Sequence, residues 1–293
     1  MKKIIYLFVA LFIIASTQSC KRLGDVDGDL LNNLDANQGG LIGSRFLYQE
    51  VNSVDTLAEY HYTGKKLVEV LNPKSKTKIT YNGELINKLE FYEVVGADSL
   101  AYIQYYTYDS TAKFITSISE VGATYMAYKA VIPGAIVRYK AIHDFAYNTD
   151  KSLKTIRSRN GIDNPALAFE YTSYVLNTFT FNTAKTNVTK VTRDVGPYAA
   201  GAFGPSTAQD IYDFSDYDDK FNPQSLLPFG YKASALLDDT SKFYWLSLNN
   251  PKRVTLTTGV APPVVTSYNT NYTYDPQNYA LSGFGSNYDY RPF

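Results

Sequence analysis

The chain has 293 residues, with 28 Lys and Arg balancing 28 Asp and Glu, 27 Tyr, 16 Phe, two His and a single Cys. A neutral chain this rich in aromatics is not disordered, and it lacks the basic surplus that binding a phosphate backbone requires. One Cys cannot build an iron–sulfur cluster, a thiol-ligated zinc site or an internal disulfide. Nucleic acid is therefore not an expected partner, and no cofactor is expected unless acidic residues gather Ca²⁺.

The N-terminus carries an export pattern. Lys2 and Lys3 precede an unbroken apolar run from Ile4 to Ala15, and the small or polar residues Ser16 to Ser19 lead into Cys20. Such a run spans about 18 Å as a helix, well short of the ~30 Å hydrocarbon core, so it predicts a cleaved signal rather than a membrane span. Ser16-Thr17-Gln18-Ser19-Cys20 resembles a lipobox of bacterial lipoproteins, which implies acylation of Cys20 and anchoring through several acyl chains. Lys21 follows the Cys, where an inner-membrane retention Asp is absent, so the expectation is an outer-membrane lipoprotein facing either periplasm or medium. Residues 1–19 are read as signal peptide and 20–44 as the lipidated Cys with a flexible tether. Asp25-Val26-Asp27-Gly28-Asp29 looks like the start of a calcium loop, but the sixth and twelfth positions are Leu30 and Ala36, so a solvated linker is expected.

From residue 45 onward apolar residues alternate in twos. Val137, Tyr139, Ala141, His143, Phe145 and Tyr147 share one face, as do Phe169, Tyr171, Val175, Phe179 and Phe181. Tyr, Phe, Val, Ile and Thr suit a pleated surface, so residues 45–293 are predicted to be all-β with roughly 15 to 20 mostly antiparallel strands. An aromatic-x-aromatic pair followed by a turn recurs at Tyr60/Tyr62, Tyr81, Tyr106/Tyr108, Phe145/Tyr147, Phe179/Phe181 and Tyr272/Tyr274. Each predicts a hairpin, and Asn82-Gly83 predicts a type I′ turn. Hairpins are marginal alone, so the expected fold is a large twisted or wrapped sheet, open-barrel or sandwich-like, with little helix. A division into two sub-halves is expected near 196–205.

These Tyr-x-Tyr-turn-Leu units resemble the Tyr-Asp repeats of Rhs and teneurin shells. With the lipobox and the segments Asp216–Pro223 and Ser247–Pro251, the chain is similar to lipoproteins of unknown function from Bacteroidota. The resemblance implies an exported hairpin-repeat body and no particular activity.

Gly196 to Pro228 contains two Gly-Pro pairs and little alternation, and reads as a long irregular loop. Its Asp210, Asp213, Asp216, Asp218 and Asp219 offer oxygens for Ca²⁺ or another ligand, or simply solvate turns. Phe243, Tyr244 and Trp245 form either an aromatic platform or part of the core. His143 lies on an apolar face and is expected to be buried and hydrogen-bonded, whereas His61 lies on a polar face; no metal or nucleophile motif surrounds either. Asp55-Thr56-Leu57, Asp98-Ser99-Leu100 and Asp109-Ser110-Thr111 match a short O-glycosylation pattern at Thr56, Ser99 and Ser110. The favoured function is a non-catalytic, envelope-anchored binding or structural lipoprotein whose partner is a glycan, an envelope component or a protein. The rival is a glycan hydrolase using two carboxylates.

Overall fold

The computed structural model describes residues 45–292 apart from 96, 112–113, 123–138, 165 and 260–261. The expected signal peptide, Cys20 and the tether lie outside the described residues, as does Val137.

Eighteen strands form one antiparallel sheet. The first nine are β1 (Arg45–Val51), β2 (Thr56–Thr63), β3 (Lys66–Asn72), β4 (Ser75–Asn82), β5 (Leu85–Val95), β6 (Ala97–Tyr108), β7 (Ile115–Gly122), β8 (Tyr139–Tyr147) and β9 (Leu153–Ile162). The others are β10 (Ser173–Phe181), β11 (Val188–Ala199), β12 (Ala202–Phe203), β13 (Ala208–Tyr217), β14 (Pro251–Thr258), β15 (Val264–Asn269), β16 (Thr273–Tyr274), β17 (Ala280–Gly283) and β18 (Ser286–Pro292). The predicted all-β architecture is what forms. Alternation decides the two faces: in β9, Leu153, Ile156 and Ser158 are buried while Lys154 and Arg157 are exposed.

Consecutive strands pair, and β18 returns to lie beside β1, with Arg45 opposite Pro292. The sheet therefore wraps, but its ladder does not close. β15 pairs with β14, whereas β16 pairs with β17, so one extended run changes partner across Thr270–Tyr272. At that junction the Phe284 N–H donates to Thr270 Oγ1 at 2.8 Å. The Tyr272 ring covers Gly283 so closely that a Cβ there would stand 2.1 Å from a ring carbon. Arg45 is 1% exposed and salt-bridged to Asp275, donates to Gln277 Oε1 at 2.9 Å, and lies 4.4 Å from the centre of the Tyr279 ring.

The hairpins share a local geometry. Register shifts leave an extra residue at Tyr48, Val68, Asn87, Thr116, Lys154, Thr189 and Leu281. The carbonyl just before the extra residue is capped by a tyrosine hydroxyl in six of these seven places. Tyr62 donates to Leu47 (3.0 Å), Tyr81 to Leu67 (3.0 Å) and Tyr108 to Ile86 (2.9 Å). Tyr147 donates to Ile115 (3.1 Å), Tyr217 to Val188 (2.5 Å) and Tyr290 to Ala280 (2.7 Å). The seventh carbonyl belongs to Leu153, and the strand beside it carries Phe181, which has no hydroxyl. Two further shifts, at Leu57 and Ala101, lie outside this pattern. The type I′ expectation at Asn82-Gly83 is corrected: Asn82 pairs with Leu85, so the central residues are Gly83-Glu84. Only Gly83 takes a positive φ, +59°, as a type II′ turn requires.

The interior is filled by the connection between β13 and β14. It contains a 3-10 turn (Pro223–Leu226), helix α1 (Phe229–Asp238) and a second 3-10 segment (Thr240–Leu246). Asn222 caps the first turn by accepting from the Gln224 N–H at 3.0 Å, and Asp239 caps the second segment by accepting from the Ser241 N–H at 2.9 Å. Tyrosines of the sheet hold this plug. Tyr106 donates to the Gly230 carbonyl at 3.1 Å, Tyr212 bonds Thr240 Oγ1 at 2.7 Å, and the Tyr60 ring meets Tyr231 edge-on at 6.2 Å. Glu50 Oε1 accepts from Tyr60 at 2.7 Å and from Gln224 Nε2 at 3.1 Å. Its burial raises the Glu50 carboxyl above the usual carboxylate range.

Candidate functional site

About half of the stretch expected to be a long irregular loop is strand. β11 runs to Ala199, a turn at Ala200-Gly201 leads into the two-residue β12, and β13 then pairs with both β11 and β14. Tyr212 and Phe214 alternate inward against the core, and that packing outweighs the turn-forming tendency of the neighbouring Asp residues. The five carboxylates are dispersed. Asp213 pairs with Lys190 (3.3 Å), Asp216 with Arg253 (3.4 Å) and Asp219 with Lys220 (3.0 Å). Asp218 accepts from the Tyr274 hydroxyl and from the Lys220 N–H at 2.9 Å. Among the described residues no group of three or more His, Cys, Asp or Glu is placed to hold a metal ion.

The platform reading of Phe243, Tyr244 and Trp245 is corrected as well. Phe243 is 0% and Trp245 6% exposed, and Tyr244 packs against the same core. Phe243 meets Phe179 and Tyr212 edge-on at 5.6 and 5.3 Å, so these rings seat the plug. Thr56, Ser99 and Ser110 are all exposed. His61 lies 2.7 Å from Glu59 and 3.7 Å from Glu69.

Asp210 is different from its neighbours, because it faces inward and joins a band of polar groups beyond the C-terminal end of α1. Pairing lines these groups up on one face. Gln104 on β6 stands opposite Glu120 on β7, and His143 on β8 opposite Ser158 on β9. On β10, Val175 pairs with Ser158 and the next inward residue, Asn177, pairs with Arg193, which in turn pairs with Asp210. Gln104 Nε2 donates to Glu120 Oε1 at 2.8 Å, and His143 Nε2 lies 3.3 Å from the same oxygen. His143 Nδ1 is 2.7 Å from Ser158 Oγ, so this His is buried and hydrogen-bonded as expected. Arg193 donates to Asp210 at 3.2 Å. Tyr102 stacks on Phe91 with centroids 4.2 Å apart and donates to Asp238 at 3.1 Å.

Electrostatics separates the two acids nearest His143. Burial works to raise Glu120, but its interactions with His143 and Gln104 outweigh it and hold the carboxyl below its ordinary value. Asp238, exposed at the last turn of α1 yet ringed by protein, is pushed up to about 6 by lost hydration and by the field of Glu120. Asn177 is 4% exposed, and its Oδ1 is buried with no hydrogen-bond partner. A buried acceptor left open is costly, and a ligand hydroxyl or amide would complete it.

The sequence did hold a signal for this band. Ile118-x-Glu120, Ala141-x-His143-x-Phe145, Ile156-x-Ser158 and Val175-x-Asn177-x-Phe179 each place a polar residue in phase with buried apolar ones.

No family model and no curated protein matches the sequence. Among solved structures the chain is similar to a porin-like protein from Bacteroides vulgatus ATCC 8482, with 11% identity and a TM-score of 0.47, over 84% of this chain and 98% of that one. It is also similar to a porin-like protein from Bacteroides uniformis ATCC 8492, with 12% identity and a TM-score of 0.44, over 84% of this chain and 95% of that one. At these identities and TM-scores no residue role passes from those proteins to this chain.

Proposed function

We propose that the protein is an outer-membrane lipoprotein, acylated at Cys20, that binds a hydroxylated ligand such as a glycan on the polar inner face of its wrapped sheet. The observation that carries the binding reading is the band itself. Inward positions that would normally be aliphatic hold Gln104, Glu120, His143, Ser158, Asn177, Arg193 and Asp210, and one buried acceptor, Asn177 Oδ1, stays open. Acceptors and aromatic faces dominate beside a single Arg, which suits a neutral, donor-rich ligand better than an anion. The anchor reading rests on the lipobox, and residues 21–44 span at most about 80 Å when extended. The recurring bulge and tyrosine cap support reading the body as a hairpin repeat. The rival with two catalytic carboxylates is less well served, because Glu120 Oε1 is already engaged by Gln104 and faces His143.

Two measurements test the proposal. Palmitate labelling of the native protein is expected to be lost in Cys20→Ala, and labelling that persists in the variant refutes the anchor. A glycan panel titrated into the detergent-solubilised chain is expected to give binding that Asn177→Leu weakens about tenfold. Binding unaffected by that change places the ligand elsewhere.

A further inference from the structure

Three consecutive strands bring a hydroxyl, an imidazole and a carboxylate into series. Ser158 Oγ lies 2.7 Å from His143 Nδ1, and His143 Nε2 lies 3.3 Å from Glu120 Oε1. Gln104 Nε2 fixes that same carboxylate oxygen from the other side at 2.8 Å. All three side chains sit on the inner face, where Ser158 and His143 are each 6% exposed. We propose that Ser158, His143 and Glu120 form a nucleophilic site that hydrolyses a small acyl ester entering the wrap. The proposal goes beyond ligand binding and rests on that reading only in requiring that small molecules reach the inner face.

His143 Nε2 makes no hydrogen bond in the resting arrangement and faces Glu120; the proposed reaction places the imidazole proton there, which leaves Nδ1 free to accept from Ser158. The Ser158 proton passes to Nδ1 as Oγ bonds to the ester carbonyl carbon. When the C–O bond to the alcohol breaks, that proton passes from Nδ1 to the leaving oxygen. Water then attacks the acyl-serine, His143 takes its proton, and Oγ departs with a proton returned from Nδ1. The sum is ester plus water giving acid plus alcohol, with no other reactant. Glu120 is a positioning residue, since it acts through His143. Asn177 stands diagonally across the ladder from Ser158, a separation of about 7–8 Å between backbones, so its side-chain amide can donate to the carbonyl oxygen as charge develops there.

The full-length chain, solubilised in detergent, is treated with a small alkyl fluorophosphonate and analysed by intact mass and peptide mapping. One adduct on Ser158 is expected, absent in Ser158→Ala and formed about 100-fold more slowly in His143→Gln. Glu120→Gln is expected to shift the pH profile of labelling, which a purely structural role leaves in place. In parallel, the Ser158→Cys variant is treated with iodoacetamide, with the adduct mapped so that Cys20 is told apart. Alkylation at the substituted position, beside an unlabelled wild-type serine, overturns the catalytic proposal alone. A thiol that fails to react shows the inner face closed, and both the catalytic and the binding readings fall. An adduct that persists in Ser158→Ala also overturns the proposal.

Discussion

Replacing Tyr81 with Phe deletes one hydroxyl and leaves the ring in place, which isolates the contribution of the tyrosine caps. The lost bond to the Leu67 carbonyl is 3.0 Å long and part-buried. A neutral hydrogen bond of this kind contributes about 0.5–1.5 kcal/mol net, and the carbonyl left without a donor moves the cost toward the upper value. For a domain of this size that corresponds to a drop of about 2–5 °C in the melting temperature. Thermal unfolding followed by circular dichroism at neutral pH measures it, with Tyr62→Phe, Tyr108→Phe and Tyr147→Phe as companions. The phenols of Tyr81 and Tyr147 are pushed up to about 12, chiefly by burial. Ultraviolet titration should therefore show both ionising later than exposed tyrosines. Phe181 is the natural control: Phe181→Tyr is expected to aim a hydroxyl at the Leu153 carbonyl and gain up to about 1 kcal/mol. Should all four Tyr→Phe variants melt within about 1 °C of the parent, the caps contribute nothing and the reasoning fails.

Other consequences follow from buried charge and close packing. Glu50 has a raised carboxyl, so between its ordinary value of 4.5 and its native value the folded state holds a proton that the unfolded state has released, and stability falls as pH rises. Glu50→Gln keeps the Oε1 acceptor for Tyr60 and Gln224, so in urea unfolding its advantage should grow from pH 4.5 upward; parallel curves would contradict this. Asp275→Ala strands the buried Arg45 charge and should cost about 3–5 kcal/mol by chemical denaturation, whereas a loss under ~1 kcal/mol would mean that solvent reaches the site. Gly283→Ala drives a methyl into the Tyr272 ring and should cost about 1–3 kcal/mol. The same change made in a Tyr272→Ala background should cost little, and an equal cost there would locate the strain elsewhere.

Much of the body was legible because two-residue alternation and the aromatic-x-aromatic pairs mark inward positions directly. Tyr60, Tyr106, Phe145 and Phe179 are all buried where the pattern puts them. The plug was not legible, since α1 is only ten residues long and has no side-chain cap at its start. What stabilises it is tertiary: Tyr60 and Tyr106 arrive from strands far away in the chain, and Tyr212 from the strand just before the plug. The strand at Ala208–Tyr217 was hidden for a related reason, because Asp210, Asp213 and Asp216 are neutralised by Arg193, Lys190 and Arg253, and no local rule foretells those partners. The polar band was visible only as exceptions to an apolar phase, and their meeting depends on register between strands.

The pairing of β1 with β18 sets a schedule for assembly. Nearly every other ladder joins neighbours in sequence and can zip as the chain is delivered, but the partner of β1 is supplied by residues 286–292. Until those emerge, β1 exposes a bare edge on one side, and Arg45 waits for a counter-ion 230 residues away. A chain of this design therefore has to keep its first strand shielded until almost all of it has been made.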